Sequence, residues 1–396
     1  TVGTAVKSVL AGEEWHLFTE EHRQFRNVVA EFIENEINPN VPEWEADGMM
    51  PLHDIFGKMG SLGMLGLEYS SDYGGGEADH LFTVVLAEEF GKAAHGSIGM
   101  ALGVQTDMAT PSLHRFGTEE LKQQYLAPAI RGEMVAAVAV TEPDAGSDVA
   151  AIRTKAVRDG DEWVINGSKM YITNSLQADW ICMLARTSDE GGYAGMSQIV
   201  VPTDSPGFEV SKKLDKLGMR ASDTGLLSFT DMRVPVENTI GTIGAGFQQQ
   251  MAQFVIERMW AAYSAAAGFE KALHLTRDYL RERHAFGKPL LKNQYLQYRL
   301  SELAAEVDLL KNYNHTIAAK HMRGEDVTRM ATIAKLKSGR LGREVADWCL
   351  QFHGGIGYME ETWTSIFFRD QRLGAIGGGS DETMLQVLAR IDGYWM

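Results

Sequence analysis

Glu257-Arg258 stands in a helical stretch whose neighbours Phe254, Val255, Ile256, Met259 and Trp260 are all apolar. A Glu-Arg pair on a helix is ordinarily a solvated ion pair worth little. An apolar setting would instead desolvate the carboxylate, raise its pKa and suit it to general-base chemistry near neutral pH. The other candidate residues are small or work through the backbone. Thr141-Glu142-Pro143-Asp144-Ala145-Gly146-Ser147-Asp148 ends a β-rich run in a turn where N–H groups and short hydroxyls can approach a planar ligand without side-chain clash. Taken alone it reads as an ordinary turn, and Lys169 to Asn174, with Tyr171 and Thr173, reads as an ordinary alternating strand. Arg283, Phe286 and Gln294 span a helix end and the turn after it, with Gly287 and Pro289 as breakers. Gln351-Phe352-His353-Gly354-Gly355-Ile356-Gly357-Tyr358 supplies a Gly-Gly-x-Gly, a weak signal by itself. His353 lies in no ligand set and reads as structural, so no metal site is expected.

The composition narrows the classes of partner. With 396 residues and 44% hydrophobic content the chain can fill a sizeable core and about two to three domains. A formal net charge of −16, without a Lys/Arg run, argues against nucleic acid and anionic membranes. Anionic ligands must then be met by local Arg, Lys or N–H groups. Cys182 and Cys349 form no disulfide framework and read as reduced core thiols, which fits a reducing compartment. No apolar run approaches the roughly 20 residues of a membrane span, so no membrane insertion is expected. Thr1 to Trp15 lacks a signal core or transit pattern. The first residue is not Met, which leaves room for a removed leader; the expected location is the bacterial cytoplasm or, with a leader removed, the mitochondrial matrix.

The elements that must position these residues follow a helical, β, helical order. Helical spacing occurs in Glu21–Ile37, Asp54–Leu65, Phe82–Gly91 and Glu119–Ala129, with Thr118 as a helix start. From Val135 the pattern shifts to short β-rich runs: Val135–Thr141, Thr154–Val157, Glu162–Ile165, Lys169–Thr173, Trp180–Leu184, Gln198–Val201 and Leu226–Phe229, with a hairpin at Asp159-Gly160. Long helices return over Gly246–Arg283, Gln294–Arg323, Val327–Gln351 and about Glu382–Arg390. The absence of βαβ alternation argues against a doubly wound nucleotide fold.

The ordered set of Thr141–Asp148, Lys169–Asn174, Lys216–Thr224, Phe254–Arg258, Arg283–Gly287, Gln351–Tyr358 and Ile376–Glu382 resembles the acyl-CoA dehydrogenase family from about Phe18 to the end. The resemblance implies an α+β, mainly α fold: an N-terminal helical domain (1–134), a central β-barrel domain (135–245) and a C-terminal four-helix bundle (246–396). It implies FAD, with Thr141, Gly146, Ser147, Tyr171 and Thr173 at the flavin. Arg283, Phe286 and Gln294 would lie on the ADP half of a FAD bound mainly by a neighbouring subunit, and Gln351, Gly354 and Gly355 on its pyrophosphate. Ser380 and Glu382 also carry over as cofactor contacts, Ser147 and Arg258 as substrate contacts. Many relatives have Trp where Tyr171 stands, and an aromatic face is retained.

The C-terminal loop departs from the best-known pattern. Where many relatives carry Glu-Gly-Thr, with Glu as the base, this chain has Gly378-Gly379-Ser380. Relatives of the long-chain and isovaleryl branches also lack that Glu and carry the base on the earlier helix, just before an Arg. Glu257-Arg258 stands at that position. Gly378 keeps a backbone N–H that can donate to a thioester carbonyl. The implied activity is α,β-dehydrogenation of a medium- or long-chain or branched acyl-CoA to the trans-2-enoyl-CoA. Electrons would pass to an electron-transfer flavoprotein, in a homotetramer built as a dimer of dimers. The likeness to long-chain and citronellyl-CoA dehydrogenases rests on Ile376–Glu382, Asn174–Trp180 and Lys213–Thr224. Two other readings keep the fold: an oxidase or monooxygenase relative that uses O2, and a catalytically silent scaffold.

Overall fold

The structure, a computed structural model, describes residues 15–395. By their mutual contacts these fall into two compact units. One holds the chain up to Asn38, His80–Gly96 and everything from Ala261 onward; the other holds Pro39–Asp79 and Ser97–Trp260.

The second unit is built on an eight-stranded sheet: β1 (Ala136–Ala139), β2 (Lys155–Asp159), β3 (Glu162–Thr173), β4 (Trp180–Arg186), β5 (Met196–Pro202), β6 (Phe208–Lys213), β7 (Thr224–Pro235) and β8 (Thr239–Ile240). The hydrogen-bonded order is β6-β7-β3-β2-β4-β5-β8, with β1 parallel to β4, so the ladder stays open between β6 and β8. Ile165, Ile181, Met183, Ile199, Val201, Leu227 and Phe229 fill one core with Trp163. Trp180, Cys182 and Val200 turn the other way, onto Leu113, Leu121, Tyr125 and Leu126 of the helices. β4 is buried on both faces, which is why it reads as a continuous apolar run.

Sequence patterning located most of these strands, including the Asp159-Gly160 hairpin, where Asp159 pairs with Glu162. The runs Glu162–Ile165 and Lys169–Thr173 are halves of the single strand β3, irregular beside Gly167. Gly167 has φ +150, and a Cβ there would meet Thr154 Oγ1 at 2.4 Å, so the close approach requires glycine. Strand β6 has no counterpart in the sequence reading. It is an edge strand with no fully buried residue, and its apolar alternation is limited to Phe208 and Val210 before the polar Ser-Lys-Lys.

In the first unit Glu20–Phe32 packs against His80–Gly91. The helix Thr328–His353 packs on Gln294–Met322, Trp363–Gln371 and Asp381–Ile391. The helix Gly246–Glu282 gives its first 15 residues to the second unit and the rest to the first. Its segment within the second unit seats Trp260, whose Nε1 donates to Gly99 O at 3.1 Å. A Cβ on Gly103 would meet that indole at 2.4 Å. Gly103 is thus used for close helix packing.

Candidate active site

The turn Thr141–Ser147 is held from beneath. Glu142 and Ala145 exchange backbone hydrogen bonds of 2.9 and 3.2 Å around Pro143-Asp144. The Glu142 carboxylate accepts from Arg153 N (2.6 Å), Thr154 N (2.9 Å) and Lys169 Nζ (2.9 Å). Lys169 Nζ donates a second bond to Val140 O, and Met170 N donates to Thr141 O, both at 2.8 Å. The ion pair is buried. Burial pulls the Lys169 ammonium down to about 8 against the opposing pull of Glu142. Burial also works to raise the Glu142 carboxyl, but Lys169 and the two amides hold it below its ordinary value.

What this platform presents outward is open. Gly146 and Ser147 are exposed. Gly146 has no positive φ, and a Cβ there would meet nothing within 4 Å, so neither backbone nor packing requires glycine. Just past Lys169 the β3–β7 register shifts, and Tyr171 sits in the irregularity at φ +63 with its side chain 63% exposed. An aromatic residue in the left-handed region is strained, and nothing in the packing of this exposed ring repays that strain. Thr173 follows on the same strand, half-buried.

The helix carrying Glu257 reaches the same turn. Phe254, one helical turn before Glu257, packs on the cluster of Val140, Ala145, Ile152, Leu184 and Met196. Val140 and Ala145 belong to the base of the turn, so the fold brings Glu257 and Thr141–Ser147 to one region of the second unit. Glu257 is half-buried and Arg258 is buried. Burial lowers the Arg258 guanidinium from its ordinary value, with Glu257 opposing.

The remaining predicted residues lie in the first unit in three groups, the first two of them linked. Arg283 follows the long helix, and His284–Ala285 pairs with Lys288–Pro289 around Phe286-Gly287. Phe286 is fully exposed at φ +52. Gln294 opens the next helix, exposed, with its Nε2 on Tyr298 Oη at 2.6 Å. Tyr279 ties this end to the second motif, stacking on His353 at 4.3 Å while its hydroxyl donates to His353 O. His353 also bonds Cys349 O at 2.7 Å, the structural part expected of it. On either side of it Gln351, Gly354 and Gly355 are exposed. A Cβ on Gly355 would meet nothing within 4 Å, whereas one on Gly357 would strike Leu350 O at 2.6 Å. Gly355, like Gly146, is a glycine that packing does not explain.

The last loop is held by Lys335, whose Nζ donates to Gly379 O. Gly378 is exposed at φ +66, and Gly379 lies at φ +95. Ser380 caps the helix Asp381–Ile391, its Oγ accepting from Thr383 N at 3.2 Å. Glu382 is exposed in the first turn. Sequence reasoning missed Lys169, Tyr279 and Lys335: a lysine in a strand or helix gives no local sign that it will be buried. Cys182 and Cys349 are buried free thiols, pushed up to about 12 by burial, and take no part.

Exposed glycines without a packing reason and exposed aromatic residues at positive φ leave surface free for a ligand. Comparisons with known proteins supply the family. Residues 19–133, 137–232 and 244–391 match the N-terminal, middle and C-terminal domains of acyl-CoA dehydrogenases. The chain belongs to the acyl-CoA dehydrogenase family. It is 35% identical to the short-chain specific acyl-CoA dehydrogenase of Clostridium acetobutylicum over 94% of this chain and 97% of that one. It is 34% identical to the rat mitochondrial long-chain specific enzyme over 94% and 87%. Among solved structures, acyl-CoA dehydrogenase from Geobacillus kaustophilus superposes with a TM-score of 0.92 at 37% identity, covering 95% of this chain and 99% of that one. A glutaryl-CoA dehydrogenase from Mycobacterium smegmatis, solved with FADH2, gives 0.88 at 26% identity, with 95% of each chain covered. The fold is that of the family: N-terminal helical, middle β and C-terminal helical domains. The protein is an FAD-dependent oxidoreductase acting on CH–CH bonds of acyl-CoA, a flavoprotein of fatty acid metabolism. Near-equal identity to short- and long-chain enzymes assigns no subfamily. No helix among the described residues is long and apolar enough to cross a membrane.

Proposed function

We propose that this acyl-CoA dehydrogenase oxidises a medium- or long-chain or branched acyl-CoA to the trans-2-enoyl-CoA, with Glu257 as the α-proton base. Its domains divide near residues 134 and 245. The observation that supports the reading is the packing of Phe254 on the cluster that includes Val140 and Ala145, which places the helix of Glu257 in the same region as the turn assigned to the flavin. Bound FAD supplies the hydride acceptor for the β-carbon. Glu257, half-buried, takes the α-proton. The Gly378 N–H donates to the thioester carbonyl and so acidifies the α-carbon. Ser147 and Arg258 contact the substrate. Arg283, Phe286, Gln294, Gln351, Gly354 and Gly355, together with Ser380 and Glu382, complete the dinucleotide pocket, the first three for a neighbouring subunit of a dimer of dimers. An electron-transfer flavoprotein takes the electrons.

The test is anaerobic flavin bleaching with acyl-CoAs of graded length and branching. Glu257→Gln should keep FAD and bind acyl-CoA, yet bleach roughly 10²- to 10⁴-fold more slowly, the usual scale for a positioned base. Bleaching of that variant at the native rate with every acyl-CoA would remove Glu257 from the mechanism. Reoxidation in air compared with an electron-transfer flavoprotein identifies the electron acceptor.

A further inference from the structure

We infer that the buried Lys169–Glu142 pair is a positioning device for the flavin, clamping the Thr141–Ser147 turn to the Tyr171 bulge so that both present a single surface to the ring. The inference rests on the reading that this turn and Tyr171 face FAD. It goes beyond that reading by assigning the geometry to two residues that need not touch the cofactor.

Burying an ion pair is seldom the most stable use of core volume, because desolvation offsets most of the attraction. Here its hydrogen bonds are distributed in a way that an apolar pair could not reproduce. Lys169 Nζ bridges Val140 O, on the chain entering the turn, and Glu142, within it. Glu142 also fixes the amides of Arg153 and Thr154, on the segment leaving the turn. Lys169 pairs with Leu227 as the last regular step of β3 before the register shift that contains Tyr171. Met170, between them, donates its N–H to Thr141 O. One side chain therefore lies beneath both segments. Their outward faces, Gly146, Ser147 and Tyr171, are exposed, and packing does not require glycine at position 146. A clamp below and an unfilled surface above is the arrangement expected of a support for a bound ring, and rigid support of this kind sets ligand geometry.

The experiment compares three variants by FAD titration of the apoprotein, visible circular dichroism of the bound flavin and thermal unfolding. Lys169→Met alone strands a buried carboxylate, and loss of folding is a possible result. The paired variant Glu142→Gln with Lys169→Met removes both charges at similar volume, restores folding and keeps the comparison decisive. In that folded variant FAD should bind at least tenfold more weakly, with an altered flavin dichroism band. Native affinity and an unchanged band would overturn the inference. Tyr171→Ala separates the two levels: if it too leaves the flavin signal untouched, the assignment of this surface to the flavin is itself wrong. If it changes the signal while the paired variant does not, only the positioning role fails.

Discussion

Phe286→Asn should make the polypeptide more stable and the enzyme worse. Phe286 occupies the first central position of a two-residue turn at φ +52, with Gly287 at φ +76. Positive φ at both positions defines the hairpin turn that favours Asn-Gly. An L-residue with a bulky side chain loses about 1–2 kcal/mol in the left-handed region. The ring is 102% exposed, so no burial within the described chain offsets that strain. Asparagine tolerates the conformation and should return up to about 1 kcal/mol to the apoprotein. If the ring is covered in the working enzyme by dinucleotide and a neighbouring subunit, as proposed, the same change removes a buried Phe worth about 1.5–3 kcal/mol. That corresponds to roughly 10- to 150-fold in affinity. Urea unfolding of dilute apoprotein reads the first effect; FAD titration and sedimentation read the second. A variant that unfolds earlier, with FAD affinity and sedimentation unchanged, would show that Phe286 is structural and refute the reasoning.

Gly355→Ala offers a similar contrast of sign at smaller cost. A methyl there meets no protein atom, so stability should hold or rise by about 0.5 kcal/mol, while FAD affinity falls; loss of stability measured by thermal unfolding would contradict it. Acid sensitivity should trace in part to Glu88. Burial works to raise its carboxyl, but His315 at 2.9 Å and Arg26 at 2.8 Å hold it down to about 2. A folded pKa below the ordinary 4.5 gives stability that is complete above pH 4.5 and lost as pH falls toward 2. The contribution is on the order of 3 kcal/mol. Glu88→Gln should flatten the acid limb of a stability curve measured by urea midpoints between pH 5 and 3, and identical slopes would sink the assignment.

What the sequence determined by itself was local. The apolar spacing of Gln294–Met322 and Thr328–His353 marks long helices, and Trp180–Arg186 reads as a strand because both its faces are covered. The ordered motifs were enough to identify the family, and Glu257 before Arg258 marked a candidate base where the C-terminal loop offers only glycine. Tertiary structure decided whatever depends on partners far along the chain. Strand β6 is completed by pairing with β7 and by seating Phe208 and Val210 on the core, and Lys169 is buried because Glu142, 27 positions away, receives its charge. Tyr171 alternates in sequence like any strand residue; its left-handed backbone arises from the register shift against β7, which no local pattern encodes. Likewise Gly146, Gly355 and Gly357 are identical as letters. Whether a glycine makes room for the protein or for a ligand depends on which atoms the fold brings within reach of the missing Cβ: for Gly357 these are the protein's own, and for the other two there are none.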